Sequence, residues 1–233
     1  MFFQPEEHPW RALYAMIQYM DACAGDIHMD PPLMSTLAWP EDLLCFNFDN
    51  KGSSTLRSHM TVERPLHVRG GENLKSDPNV YVRGPVVFGR DVTLRKGAVV
   101  TGPSYVGNGV IIGQGCRVKN SIIREQSEIC FGTRVSFAII GNCVRIGEQA
   151  VLSDQPLNDN PVAYPDDGIC PTYPSGLDAN IHNLGLVAGD GCQVGGGAIF
   201  ASGVILRPGT IVREGMRLLR SAVYTDTVSR DHL

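Results

Sequence analysis

Hydrophobic residues return every six positions over a long stretch of this chain, and few folds can use that spacing. Val82, Phe88, Leu94, Val100, Val106, Ile112 and Val118 lie six apart. The series then steps by five to Ile123, continues to Ile129 and Val135, steps by five again to Ile140, and resumes through Ile146 to Leu152. In a chain that is 43% hydrophobic, seven successive hits arise by chance at roughly the 0.3% level in one register. A second series through Ala188, Val194, Phe200, Leu206, Val212 and Leu218 makes chance implausible. The period is that of a hexapeptide-repeat solenoid, in which three sixes make one triangular coil of about eighteen residues.

Details of the repeat agree. Two residues before each aliphatic sits a second inward position, held by small or β-branched residues such as Ala98, Ser104, Cys116, Ser121 and Thr133. They leave room for a sharp bend between short strands. The aliphatic is often followed by glycine, as in Phe88-Gly89, Val106-Gly107 and Ile112-Gly113, where turns favour positive φ.

The composition suits a turn-rich β protein, with 26 Gly, 15 Pro and 19% charged residues. A net charge of −4 without a long basic run gives no nucleic-acid footprint. No apolar run approaches membrane-spanning length, and the first residues lack the charged head and apolar run of a signal peptide. Seven cysteines contain no CxxC pair. Cys116 and Cys192 fall at small inward positions, so they read as buried thiols of a reduced compartment. The expectation is a cytoplasmic protein with no membrane or nucleic-acid partner and no metal site.

Three segments flank or interrupt the repeat. Residues 1–59 read as a helix followed by an irregular cap. Within 8–23, Pro9 suits a first helical turn, and Leu13, Ile17 and Met20 share a face with Trp10 or Met16. A helix of that length is marginal alone, so its apolar stripe must dock, on the solenoid end or a neighbouring subunit. Residues 60–219 are the β-helix, with 60–80 as an imperfect lead-in coil. Residues 153–183 break the period with prolines, acids and amides; an insertion of this length is usually functional. Residues 220–233 are polar and are expected to leave the solenoid.

Several segments carry a more specific likeness. Gly84-Pro85-Val86-Val87-Phe88-Gly89, Leu94-Arg95-Lys96-Gly97-Ala98 and Val118-Lys119-Asn120-Ser121-Ile122-Ile123 follow one another at set distances. Leu184 through Gly191 and Leu206-Arg207-Pro208-Gly209 come later. This succession resembles the acetyltransferase half of the bifunctional glucosamine-1-phosphate acetyltransferase/N-acetylglucosamine-1-phosphate uridyltransferase family, and the solenoid halves of related sugar-phosphate nucleotidyltransferases. The resemblance covers about residues 60–219. It implies a mainly β fold, a left-handed parallel β-helix with a short N-terminal helical cap and an insertion loop. It also implies a homotrimer with active sites between neighbouring solenoids, where Arg95 and Lys119 would hold a sugar phosphate. Counting eighteen residues per coil puts the two near one edge of the triangle, a coil apart. The plainer reading makes both solvated turn residues.

The catalytic positions depart from the family. Phe131 stands where the resemblance implies a histidine base, and a phenyl ring accepts no proton. Arg134 takes a tyrosine position, Arg145 and Asp154 replace amide side chains, and Glu148 falls where an alanine would touch coenzyme A. His182, ending the insertion, is the substitute base, or else it packs the return into the coils. Gly195 and Gly196 line a coenzyme cleft or simply make a tight turn. The nucleotidyl-transfer half is not expected, since residues 1–60 hold no Gly-rich nucleotide loop and are too few for that domain.

Three functions stay open. One is transfer of an acyl group from acetyl-CoA or another acyl-CoA to a sugar phosphate or nucleotide sugar. The second is a catalytically inactive sugar-phosphate-binding or regulatory homologue. The third is a structural trimer or an accessory subunit of a separate nucleotidyltransferase.

Overall fold

A computed structural model describes residues 73–155, 183–220 and 222–229 in full, and the backbone strands at 44–45, 54–56, 60–63 and 68–70. The helix expected over 8–23, most of the insertion, and His182 with it, lie outside the described residues. Eight triangular coils follow one another, each contributing one strand to each of three faces.

The first coil is β3 (Met60–Glu63), β4 (Val68–Gly70) and β5 (Lys75–Ser76), and the second is β6 (Val80–Arg83), β7 (Val86–Phe88) and β8 (Thr93–Leu94). The third holds β9 (Val99–Thr101), β10 (Ser104–Val106) and β11 (Ile111–Ile112). The fourth holds β12 (Arg117–Lys119), β13 (Ile122–Ile123) and β14 (Glu128–Ile129), and the fifth β15 (Arg134–Ser136), β16 (Ile139–Ile140) and β17 (Arg145–Ile146). The sixth, which the insertion interrupts, is β18 (Val151–Leu152), β19 (Val187–Ala188) and β20 (Gln193–Val194). The seventh is β21 (Ile199–Phe200), β22 (Ile205–Leu206) and β23 (Ile211–Val212), and the eighth is β24 (Arg217–Leu218), β25 (Val223–Tyr224) and β26 (Thr227–Val228). In each coil the chain passes from face I to face II to face III. Coil-to-coil pairing is parallel throughout.

Each inward aliphatic of the six-residue series meets its counterparts one coil above and below. Phe88, Leu94, Ile112, Ile123, Ile129, Ile140, Ile146 and Phe200 are fully buried in one continuous core. A coil alone has nothing to bury these residues against, so stacking supplies the stability. The five-residue steps appear as shortened corners between faces I and II. There, a single residue with positive φ turns the chain, Asn120 at 47° and Phe137 at 47°. The coils before them turn through Gly84-Pro85 and Gly102-Pro103. The inward thiols sit as the sequence placed them: Cys116 and Cys192 are fully buried, and burial pushes the Cys116 thiol up to about 11.

Two further strands close the N-terminal end. β1 (Leu44–Cys45) and β2 (Ser54–Leu56) run antiparallel to β4 and β3, covering the edges that faces II and I would otherwise offer to another chain. At the other end the expectation for the tail is corrected. β25 pairs with β22 and β26 with β23, so the solenoid continues past residue 219. The reason is visible in Tyr224, packed against the core, and Val228, buried in it; polar neighbours masked these two. Among the described residues no helix is long and apolar enough to cross a membrane.

Candidate functional site

The candidate residues fall on two corners and the face between them. Arg95 follows β8, at the corner between faces III and I. Lys119 ends β12, at the corner between faces I and II, and its register partner one coil below is Thr101, not Arg95. The expectation that Arg95 and Lys119 share an edge is therefore corrected: they stand at opposite ends of face I. Their sequence separation is one coil plus one further side of the triangle, and the extra side moves Lys119 to the next corner. Arg95 instead faces Asp77, with Nη1 4.0 Å from the carboxylate. Asp77 also accepts the Lys96 backbone N–H at 3.2 Å.

Lys119 has other cations beside it. On face I, Arg117 is the register partner of Arg134 in the next coil, and strands in a sheet lie about 4.8 Å apart. Lys119 projects from the same strand as Arg117, two residues on and toward the same side. All three are exposed. Among the described residues no acid pairs with any of them. Like charges directly opposite in a sheet repel, and an anion laid across the ladder would relieve that repulsion. Guanidinium groups suit the paired oxygens of a phosphate.

Lys119 is held from inside and outside. The buried Ser121 hydroxyl donates to the Lys119 carbonyl at 2.7 Å and accepts the Ala138 N–H at 3.1 Å. Ser104 repeats the device one coil below, accepting the Ser121 N–H at 3.2 Å. Outside, the ammonium lies 5.8 Å from the centre of the Phe137 ring, within cation–π range. Phe137 is also the bulky residue held at positive φ, a conformation that costs free energy and gathers at functional sites.

Phe131 lies at the corner between faces III and I and is 44% exposed, an open apolar ring close to the start of β15 and Arg134. Its carbonyl accepts the Gln149 N–H, and the Glu148 carbonyl above accepts that of Gly197. Phe131, Glu148 and Gly196 thus stack in successive coils at this corner.

Arg145 lies on face III, where its Nε binds Glu128, its register partner, at 3.1 Å. The two charges hold one another there, and Arg145 takes no part in the face I ladder. It lines an open groove of about 470 Å³ with Gln193, Gly195, Ile211, Arg213 and Glu214. Gly195 therefore borders a groove, but its lack of a side chain has a packing cause: a Cβ there would strike the backbone of Glu214. At Gly196 a Cβ would meet the backbone of Glu148 no nearer than 3.4 Å, an ordinary contact. Asp154 lies just past β18 on the Lys119 corner and accepts the Leu184 N–H at 2.9 Å. That bond closes the base of the insertion, which leaves and returns at this corner. Among the described residues no three His, Cys, Asp or Glu converge as metal ligands would.

Sequence reasoning named Lys119 and Arg134 separately and missed Arg117. The signal was available: Arg117 and Arg134 are seventeen residues apart across one five-residue step, hence in register.

Comparison of the sequence with those of known proteins agrees with this architecture. A model of the GMPPB C-terminal domain matches residues 78–169. Bifunctional protein GlmU of Alkaliphilus oremlandii is 31% identical over 86 residues, 37% of this chain and 19% of that protein. Its namesake from Cupriavidus pinatubonensis is 35% identical over 82 residues, 35% of this chain and 18% of the relative. The matched segment thus spans less than a fifth of these relatives. A hexapeptide transferase family protein from Anaplasma phagocytophilum aligns at a TM-score of 0.32 and 14% identity, over 68% of this chain and 81% of that one. The chain is a hexapeptide-repeat parallel β-helix that resembles the acetyltransferase half of GlmU.

Proposed function

We propose that this protein binds a sugar phosphate or nucleotide sugar on face I, with Arg117, Arg134 and Lys119 on the phosphate and Phe131 against the sugar or base. The observation that carries the reading is the register pairing of Arg117 with Arg134 beside Lys119, with no acid pairing any of them among the described residues. The chain works as a homotrimer, and the neighbouring solenoid supplies the other wall of the site.

In the catalytic form of this reading, acetyl-CoA or another acyl-CoA lies along the groove by Gly195 and Arg213. The acceptor amine or hydroxyl attacks the thioester carbonyl, a new C–N or C–O bond forms, and the C–S bond breaks. His182 takes the acceptor proton and returns it to the leaving thiolate, while backbone amides steady the oxyanion. The second reading, a binding homologue without turnover, is favoured by Phe131, which puts an exposed phenyl ring at the family's base position. A thiol-release assay with acetyl-CoA and a panel of amino-sugar phosphates separates the two. Release that His182→Ala abolishes supports catalysis. Sugar-phosphate binding without release by the unaltered protein supports the binding homologue.

A further inference from the structure

Two phenylalanines bracket the strand that carries Arg134. Phe131 stands in the turn before β15 and Phe137 in the turn after it, each three residues from Arg134. They therefore mark the two ends of face I on one coil, with the cations Arg117, Lys119 and Arg134 between those ends. The chain between the two rings is at most about 20 Å long. Phe131 leaves its ring open to solvent, whereas Phe88 and Phe200 are fully buried. Phe137 is half-buried, and one face of its ring already takes the Lys119 ammonium. The two ends are thus unlike: Phe131 offers a free aromatic face, and Phe137 offers apolar surface beside a charge.

We propose that face I takes a nucleoside diphosphate sugar in preference to a sugar monophosphate, with the base on Phe131, the diphosphate across Arg117, Arg134 and Lys119, and the sugar toward Phe137. This rests on the reading of face I as an anion site and names its ligand class. Arg117 and Arg134 stand in register, so their side chains leave the sheet about 4.8 Å apart, and each guanidinium suits a pair of oxygens. A sugar phosphate has three unesterified oxygens, one short of two pairs. A diphosphate bridge offers two on each phosphorus, and the Lys119 ammonium adds a point charge beside them. Length points the same way. A sugar phosphate seated on the cations reaches one ring, whereas a base, a diphosphate and a sugar in line reach both. The base belongs at Phe131 because that ring face is open. Stacking there uses only the π-face that every base shares, so the site selects for a nucleoside without selecting which base.

The test titrates the full chain by calorimetry with UDP-, ADP-, GDP- and dTDP-glucose, and with glucose-1-phosphate and glucosamine-1-phosphate. A base stacked on an aromatic ring is worth about fivefold in affinity or more, so nucleotide sugars should bind tighter than glucose-1-phosphate by at least that factor. Phe131→Ala should weaken the nucleotide sugars about fivefold more than it weakens glucose-1-phosphate, and Phe131→Tyr should restore the difference. Urea midpoints of both variants check that the coils stay folded. Sugar phosphates that bind as tightly as every nucleotide sugar would overturn this inference and leave the anion site standing. Binding of neither class would remove both. An equal loss for both classes in Phe131→Ala, or a change of oligomer with the preference intact, would make Phe131 a packing or subunit contact and overturn its place under the base.

Discussion

Phe137 turns the chain with a backbone conformation that costs a bulky side chain about 1–2 kcal/mol, and its ring lies beneath the Lys119 ammonium. Removing the side chain should separate stability from function. Phe137→Gly is expected to hold or raise the urea midpoint while weakening sugar-phosphate binding several-fold; a parallel loss of both would make Phe137 purely a packing residue. Tyr105 gives a second residue-level outcome. In the unfolded chain its phenol ionises near 10, whereas in the folded protein it keeps its proton to about 12. Unfolding between those values releases a proton, so its contribution is complete below pH 10 and is lost as pH rises to 12. Urea midpoints measured across this window should fall less steeply for Tyr105→Phe. At this scale the sequence was only partly readable. Lys119 and Arg134 could be named from motif context, but their adjacency to Arg117 depends on where the two short coils fall. Arg95 was misplaced because a sixfold count gives the step along the chain without giving the face.

The strands themselves are two to four residues long, too short to stand without the coils on either side. Their inward aliphatics are correspondingly costly to truncate. Ile123→Ala, in the fourth coil, should destabilise by about 2–5 kcal/mol, read by chemical denaturation, while Ile111→Ala on the outer surface of face III should cost far less. Equal losses would contradict the assignment of inward and outward positions. This alternation was the most legible feature of the sequence, because a fixed period with a buried partner every coil leaves no freedom of register. The continuation through β25 and β26 was not legible, since two apolar residues among polar ones carry no period. Nor was the burial of face II: Val87, Ile122, Ile139 and Val187 look like ordinary outer β residues until their exposure is compared with Val151 and Ile211.

At the scale of the molecule, the eight coils present three unlike surfaces. Face II carries the buried outer residues Ile122, Ile139 and Val187, face III the Arg145–Glu128 pair and the groove, and face I the cations Arg117, Lys119 and Arg134, which no acid pairs among the described residues. The insertion opens from the corner that holds Lys119, two coils further along, on the side of the proposed ligand. The proposed ligand is an anionic sugar held by face I, and calorimetric titration of glucosamine-1-phosphate tests this most directly. Loss of one charge-assisted contact is worth about 1.5–3 kcal/mol, and 1.4 kcal/mol is tenfold in affinity. Arg134→Ala and Lys119→Ala should therefore each weaken binding by roughly tenfold or more, with Arg95→Ala within about twofold of the unaltered protein. Binding that survives the Arg117→Ala/Lys119→Ala/Arg134→Ala triple variant, or that disappears with Arg95→Ala alone, would contradict it.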